Sequence, residues 1–234
     1  MKIDLEKKLS SKIFKLIKTI ATIGDKEGIR LYIVGGVVRD ILLGVKNLDL
    51  DFLVEGDAIA FTESLNKALR GKLTIYKAFN TATLSLKGYR IDFVAARKES
   101  YKRPASYPDV EPGTLKDDLH RRDFSINAMA ISVNKKDLGR LVDHCDGYKD
   151  LRKGIIRVLH EKSFVDDPTR IFRAVRFAVR FGFEIEPETK KLMKGSILGG
   201  FLGEVNRGRI KKEIELFLRE KDPLKCLESF SKLI

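Results

Sequence analysis

Val34-Gly35-Gly36-Val37-Val38-Arg39-Asp40-Ile41-Leu42-Leu43-Gly44 leads, three residues later, into Leu48-Asp49-Leu50-Asp51-Phe52. The apolar run Leu31 to Val34 predicts a short buried strand that ends on the glycine pair. A short helix over Val37 to Leu43 follows and stops at Gly44, and Leu48 to Val54 returns to strand. On that second strand Asp49 and Asp51, two positions apart, project from one face, while Leu48, Leu50 and Phe52 pack behind. Neighbouring carboxylates repel unless a cation sits between them, and hard oxygen ligands suit Mg²⁺. An isolated Asp-x-Asp is better read as two solvated acids on a half-buried strand. Its surroundings favour the metal. Gly35 and Gly36 offer bare backbone to a phosphate at a strand-to-helix turn, although taken alone they are better read as an ordinary tight turn. A third acid, Asp92, lies on Arg90-Ile91-Asp92-Phe93 with Ile91 and Phe93 facing the core. Three such carboxylates could hold two Mg²⁺ ions roughly 3.5–4 Å apart, the arrangement of polymerase-type phosphoryl transfer.

Outward from this stretch, Leu5, Leu9, Ile13, Leu16, Ile17 and Ile20 predict an amphipathic helix over residues 5–20. A helix over Asp57 to Leu69 precedes three β segments, Leu73 to Ala78, Thr81 to Lys87 and Tyr89 to Ala95. The order implies an α/β (α+β) head, a mixed sheet with helices to one side. Lys98 to Gly113, with prolines at 104, 108 and 112, reads as one extended loop. Thr114-Leu115-Lys116-Asp117 reads as a capping box, and Phe124 to Val133 as strand. Beyond Asp150 the pattern becomes helical, near 167–181, 187–194 and 207–219. The expected division is a head over residues 1–150 and an all-helical neck over 151–234.

Composition agrees with a folded chain that meets a polyanion. The 234 residues are 43% hydrophobic, and 46 Lys+Arg against 33 Asp+Glu leave a net charge of +13. That excess is spread over both halves, so it is no detachable basic tail, and nucleic acid is the commonest partner of such a surface. No apolar run approaches the roughly 18 residues of a membrane span, and Met1-Lys2-Ile3-Asp4 does not open a signal peptide. Cys145 and Cys226 are too far apart for a CxxC site, and His120, His144 and His160 are not spaced for zinc. A cytoplasmic protein is expected.

Three stretches together resemble one family. Val34 to Gly44 followed by Leu48-Asp49-Leu50-Asp51 is similar to the signature of class II tRNA nucleotidyltransferases and bacterial poly(A) polymerases, within the polymerase-β-like superfamily. His120-Arg121-Arg122-Asp123-Phe124-Ser125-Ile126-Asn127-Ala128 resembles the family's RRDFTINA element. Asp166-Asp167-Pro168-Thr169-Arg170-Ile171-Phe172-Arg173-Ala174-Val175-Arg176-Phe177 resembles its EDxxR element. The resemblance implies that Asp49, Asp51 and Asp92 are catalytic metal ligands for two Mg²⁺ ions. It implies that Gly35, Gly36 and Arg39 hold the triphosphate, with Arg122 and Asp123 on triphosphate and ribose. Asn127, from the same element, joins the nucleotide-binding set. Asp167 and Arg170 are implied to read the base, offering an acceptor and a donor to the pairing edge shared by ATP and CTP. Asp167 before Pro168 is equally well placed as a helix N-cap, and the two roles are compatible. Arg170, Arg173, Arg176 and Arg180 share one helix face; a solvated stripe is the plain reading, but arginine without lysine favours phosphate or base contacts.

Two departures stand out. Asp166 replaces the usual Glu, and Asn206-Arg207-Gly208-Arg209-Ile210-Lys211-Lys212-Glu213 carries Gly208 where the family's S-x-E-R-I-x-x-E has an acid, which puts any capping role of that acid in doubt. The implied function is template-independent addition of CCA, or its terminal A, to tRNA 3′ ends from CTP and ATP. A bacterial poly(A) polymerase, or a nucleotide- or tRNA-binding module that needs a partner chain, is the alternative. The resemblance also implies further helical body and tail domains, and at 234 residues the chain is expected to stop soon after the neck begins.

Overall fold

The computed structural model describes residues 1–45 and 49–233. The chain divides into two compact units. The first takes Met1–Lys98, Val110–Arg121 and Asn127–Cys145; the second takes Glu99–Asp109, Arg122–Ile126 and Asp146–Ile234.

The first unit is built on one mixed sheet, of seven strands among the described residues, ordered β3-β4-β5-β2-β1-β8-β9. The strands are β1 (Arg30–Val34), β2 (Leu50–Glu55), β3 (Lys72–Tyr76), β4 (Thr81–Leu86), β5 (Tyr89–Ala95), β8 (Met129–Ser132) and β9 (Leu141–Asp143). Only β2 and β5 run parallel, with Leu50 opposite Ile91 and Phe52 opposite Phe93. β6 (Arg97–Ser100) and β7 (Asp109–Pro112) pair at the two ends of the stretch read as a single loop; Asp109-Val110-Glu111 alternates as a strand does, while β6 is polar throughout and carried no such signal.

Alternation sorts the sheet into two faces. Leu31, Ile33, Leu50, Phe52, Ile91 and Phe93 are fully or nearly fully buried. Phe52 stacks on Phe93 at 5.2 Å between centroids, and Phe61 of α4 (Ala58–Leu69) meets Phe93 edge-on at 5.7 Å. Helix α2 (Ser11–Glu27) packs on β1 so closely that a Cβ at Gly24 would lie 2.5 Å from Leu31. The opposite face gathers Tyr32, Val34, Leu53, Ala130 and Val142 under Leu115 and Leu119 of α5 (Leu115–His120). Helices therefore cover both faces, not one side alone, since β1 and β2 carry apolar residues at successive positions and each face needs cover.

Local signals set the helix ends. The predicted first helix is two, α1 (Leu5–Lys8) and α2, because the Ser10 hydroxyl accepts the Ile13 amide and starts a new helix. Thr114 and Asp117 close the capping box of α5 reciprocally. The glycine turn opens α3 (Gly36–Leu43), which ends at Gly44 in the left-handed conformation. Phe124 to Val133 is not all strand: residues Ser125–Asn127 make a 3-10 turn before β8. Leu48, read as the first residue of the second strand, lies outside the described residues.

The second unit is mainly helical: α6 (Gly147–Lys153), α7 (Ser163–Asp166), α8 (Arg170–Phe181), α9 (Pro187–Leu198), α10 (Arg207–Leu218) and α11 (Pro223–Ser231). A two-residue parallel pair joins β10 (Ile155–Ile156) to β11 (Glu184–Ile185). Phe172 of α8 stacks on Phe230 of α11 at 4.6 Å and meets Phe217 of α10 edge-on, which fixes three helices around one aromatic cluster. Among the described residues no helix is long and apolar enough to cross a membrane.

Candidate active site

In the first unit, the parallel register places Asp51 directly opposite Asp92, so both side chains leave the same face of neighbouring strands. Both are half-buried. Asp49 precedes β2 by one residue and is exposed. The Thr83 hydroxyl donates to Asp92 Oδ1, and Arg90 lies 3.4 Å from Asp92 Oδ2. Thr83 escaped the sequence reading, yet counting outward equally from the Lys87-Gly88 turn reaches Thr83 and Asp92 together. Among the described residues no three His, Cys, Asp or Glu side chains are gathered closely enough to hold a metal ion. The register sets Asp51 and Asp92 side by side, and Asp49 lies on the exposed residue just before β2.

Gly35, which follows β1 beside the start of β2, has φ 74° and ψ −134°, a conformation open to glycine and strained for any other residue. Its amide donates to Met129 O at 3.1 Å, tying the turn to β8. No side chain caps α3. The atoms nearest a Cβ on Gly36 belong to the Arg39 guanidinium, at 3.4 Å and beyond, an ordinary contact distance. Arg39 itself is 6% exposed. It grips Asp40 with two nitrogens at 2.9 and 3.1 Å and donates from Nη1 to Asn127 Oδ1 at 2.6 Å. Arg39 and Asn127, picked separately in the sequence, form one hydrogen-bonded group 88 residues apart.

In the second unit Arg122 is half-buried and Asp123 is buried. Asp123 Oδ1 accepts the Phe124 amide at 2.8 Å, and Oδ2 accepts Arg173 at 2.9 and 2.5 Å. That carboxylate holds the Arg173 guanidinium above its ordinary pKa. Arg170 is buried and donates from Nη1 to Ser163 Oγ at 2.7 Å. Burial pushes the nearby Tyr101 phenol up to about 12. Arg176, also buried, faces Glu213 at 3.8 Å and Glu220 at 3.5 Å. Burial pulls Arg176 down and pushes Glu213 up, and Arg176 Nε and Glu213 Oε2 have no hydrogen-bond partner. Both shifts favour the neutral forms, so this pairing does not fully offset desolvation. Arg180 pairs with Glu220. The arginine stripe is accordingly no simple solvated face: Asp123, Glu213 and Glu220 meet Arg173, Arg176 and Arg180.

Asp167 is not the N-cap that the Asp-Pro order predicts: α8 begins at Arg170 with Thr169 at its N-cap position and no side-chain cap, because Pro168 and Thr169 form a turn before the helix. Asp167 Oδ1 accepts the Thr169 amide at 3.0 Å and the Thr169 hydroxyl at 2.6 Å. The same oxygen accepts Arg209 Nη2 at 2.7 Å. Arg209 and Glu213 were missed as site neighbours, since both lie in the element read only for its departure at Gly208. Asn206 performs the capping there, its Oδ1 accepting the Gly208 amide at 2.8 Å.

Residues 31–157, more than half of the chain, match the Poly A polymerase head domain. The chain belongs to that family. It is 50% identical over 204 residues to an A-adding tRNA nucleotidyltransferase of Aquifex aeolicus, a match that spans 87% of this chain and 25% of the relative. A second A-adding tRNA nucleotidyltransferase, from Halalkalibacterium halodurans, is 42% identical over 228 residues, 96% of this chain and 53% of its own length. Among solved structures, an apo form of a CCA-adding enzyme superposes with a TM-score of 0.94 at 49% identity, over 98% of this chain and 54% of that one. The chain therefore spans between a quarter and about half the length of these head-domain proteins. Nucleotidyltransferases of this family use a divalent metal. The donor set fits one: Asp51 and Asp92 supply hard oxygens from paired positions on one face, with Asp49 two residues before Asp51.

Proposed function

We propose that this chain is the nucleotidyl-transferring part of a tRNA nucleotidyltransferase, adding CCA or its terminal A to tRNA 3′ ends from CTP and ATP. The register that sets Asp51 against Asp92 on one sheet face carries the reading. Asp51 and Asp92, together with Asp49, hold the metal, taken as two Mg²⁺ ions. When bound, the metal neutralises charge on the triphosphate and lowers the pKa of the attacking hydroxyl. The bond formed joins the terminal ribose 3′-oxygen to the α-phosphorus, and pyrophosphate leaves in line.

The rest of the work falls to the chain's own groups. Gly35 and Gly36 let backbone amides approach the triphosphate at the start of α3, where the helix end favours anions. Arg39, fixed by Asp40 and Asn127, holds positive charge beside that turn. Arg122 and Asp123 serve triphosphate and ribose, an acid there accepting from the 2′-hydroxyl and so favouring ribonucleotides. Asp167 accepts from the base amino group and Arg170 donates to the ring nitrogen beside it. ATP and CTP share that pattern; GTP and UTP present the reverse. Arg173 and Arg176, on the same helix as Arg170, are assigned to the nucleotide as well. In this reading the head over residues 1–150 carries the transfer chemistry and the helical neck over 151–234 reads the base.

The A-adding relatives favour addition of the final A. The test uses tRNA transcripts ending at the discriminator base, at C and at CC, each incubated with Mg²⁺, this chain and CTP, ATP or both, followed by sequencing of 3′ ends. A on the CC transcript alone identifies an A-adding specialist, and CC followed by A a full CCA enzyme. Long A tails on any RNA would turn the reading to poly(A) synthesis. No addition at high RNA concentration would leave a binding module that needs a partner chain.

A further inference from the structure

Asp167 is held in an unusually one-sided way. Three donors converge on Oδ1: the Thr169 amide, the Thr169 hydroxyl and Arg209 Nη2, at 3.0, 2.6 and 2.7 Å. None of its described hydrogen bonds falls on Oδ2. A carboxylate oxygen has about two lone-pair sites, so Oδ1 is saturated and Oδ2 is the acceptor left for a ligand.

Thr169 alone cannot fix the carboxylate plane, because both of its donors come from one residue on one side. Arg209 supplies the second anchor, from 42 residues away. The guanidinium is held on its other edges too. Nη1 donates to Ala105 O at 3.4 Å, and the Tyr107 ring lies 5.4 Å from its central carbon. Ala105 has φ 57°, uncommon for a residue with a Cβ, and its amide donates to Val165 O at 3.1 Å. A planar guanidinium gripped on several sides loses little further freedom on binding one carboxylate oxygen.

We propose that Arg209 is a specificity-determining positioning residue, which clamps Asp167 through Oδ1 so that Oδ2 is presented to the amino group of an incoming base. This rests on the base-reading role given to Asp167 above. Without Arg209 the carboxylate turns about its side-chain bonds, and discrimination against bases that present a carbonyl falls.

The test is equilibrium binding of ATP and GTP, with Mg²⁺ and without RNA, to the unaltered chain and to Arg209→Ala, Arg209→Lys and Asp167→Asn. Thermal unfolding of each variant reports whether it is folded. Arg209→Ala should lower the ATP-over-GTP affinity ratio by about tenfold, the size of one charge-assisted hydrogen bond. Arg209→Lys should recover part of that ratio, because an ammonium can still reach Oδ1. Asp167→Asn should reverse the preference towards GTP, an amide now donating where the acid accepted. If Arg209→Ala weakens both nucleotides equally, or leaves the ratio intact while Asp167→Asn reverses it, the clamp is wrong and the base-reading role stands. An unaltered ratio in Asp167→Asn would instead overturn base reading by Asp167, and the clamp with it.

Discussion

The carboxylates of the sheet and the arginines of α8 are both charged clusters, yet they are built on opposite principles. Asp51 and Asp92 are like charges brought together by strand register, with Arg90 alongside one of them and largely exposed. On α8 the charges are matched within the fold: Arg173 with Asp123, Arg176 with Glu213 and Glu220, Arg180 with Glu220. Like carboxylates on a sheet face cost free energy unless a cation arrives, whereas internally paired arginines are positioned whether or not a ligand is present. In the proposed function a cation completes the first arrangement; the second is held by contacts within the fold.

Substitutions can break this contrast. The largest effect is expected at Asp51→Asn, which removes one of the paired ligands and should cut nucleotide addition at least about 10³-fold, since metal charge stabilisation is worth several kcal/mol. The measurement is single-turnover A addition, and thermal melting should change little, because a repelling charge has been removed. Asp123→Ala should do the opposite. It strands Arg173 and should destabilise the chain by roughly 1–3 kcal/mol, less than for a fully buried pair because Arg173 is partly exposed. Urea denaturation reads that loss. An Asp123→Ala variant as stable as the parent would mean that the α8 pairs are not preorganised.

Gly35→Ala tests the turn beside the acids. A Cβ at φ 74° and ψ −134° should cost about 1–3 kcal/mol, with weaker ATP binding as the turn relaxes. The smallest effect is expected at Glu213→Gln. Burial raises the Glu213 pKa, so its contribution to stability is complete below the unfolded value, near 4.5, and is lost as pH rises through the folded value. Melting temperature against pH should therefore fall less steeply above pH 4.5 in the glutamine variant than in the parent.

How much could be read beforehand depended on range. The strand–glycine–helix–strand order and the capping box at Thr114 follow from residues a few positions apart, and the structure contains them, whereas β2 begins only after Asp49 and α8 begins with Thr169, not Asp167, at its N-cap position. Helix splitting at Ser10 and the strands within Lys98 to Gly113 were also local, but there competing signals, an unbroken apolar period and three prolines, pointed the other way. Thr83 beside Asp92 lay within reach of hairpin counting. The union of Arg39 with Asn127, and of Asp167 with Arg209, did not, because nothing local links positions 88 and 42 residues apart.

The sequence by itself determined that a mixed sheet carries acids on one face next to a glycine turn, and that an arginine-rich helix follows. Period-two and period-3.6 patterns are set by local backbone geometry, so they survive being read one residue after another. Tertiary structure alone decided which charges meet. It put Asp92 beside Asp51, closed Arg173 on Asp123, and laid Arg209 on a single oxygen of Asp167. Such meetings depend on chain register and helix packing across long separations, where Coulomb energy, desolvation and hydrogen-bond geometry are balanced in three dimensions.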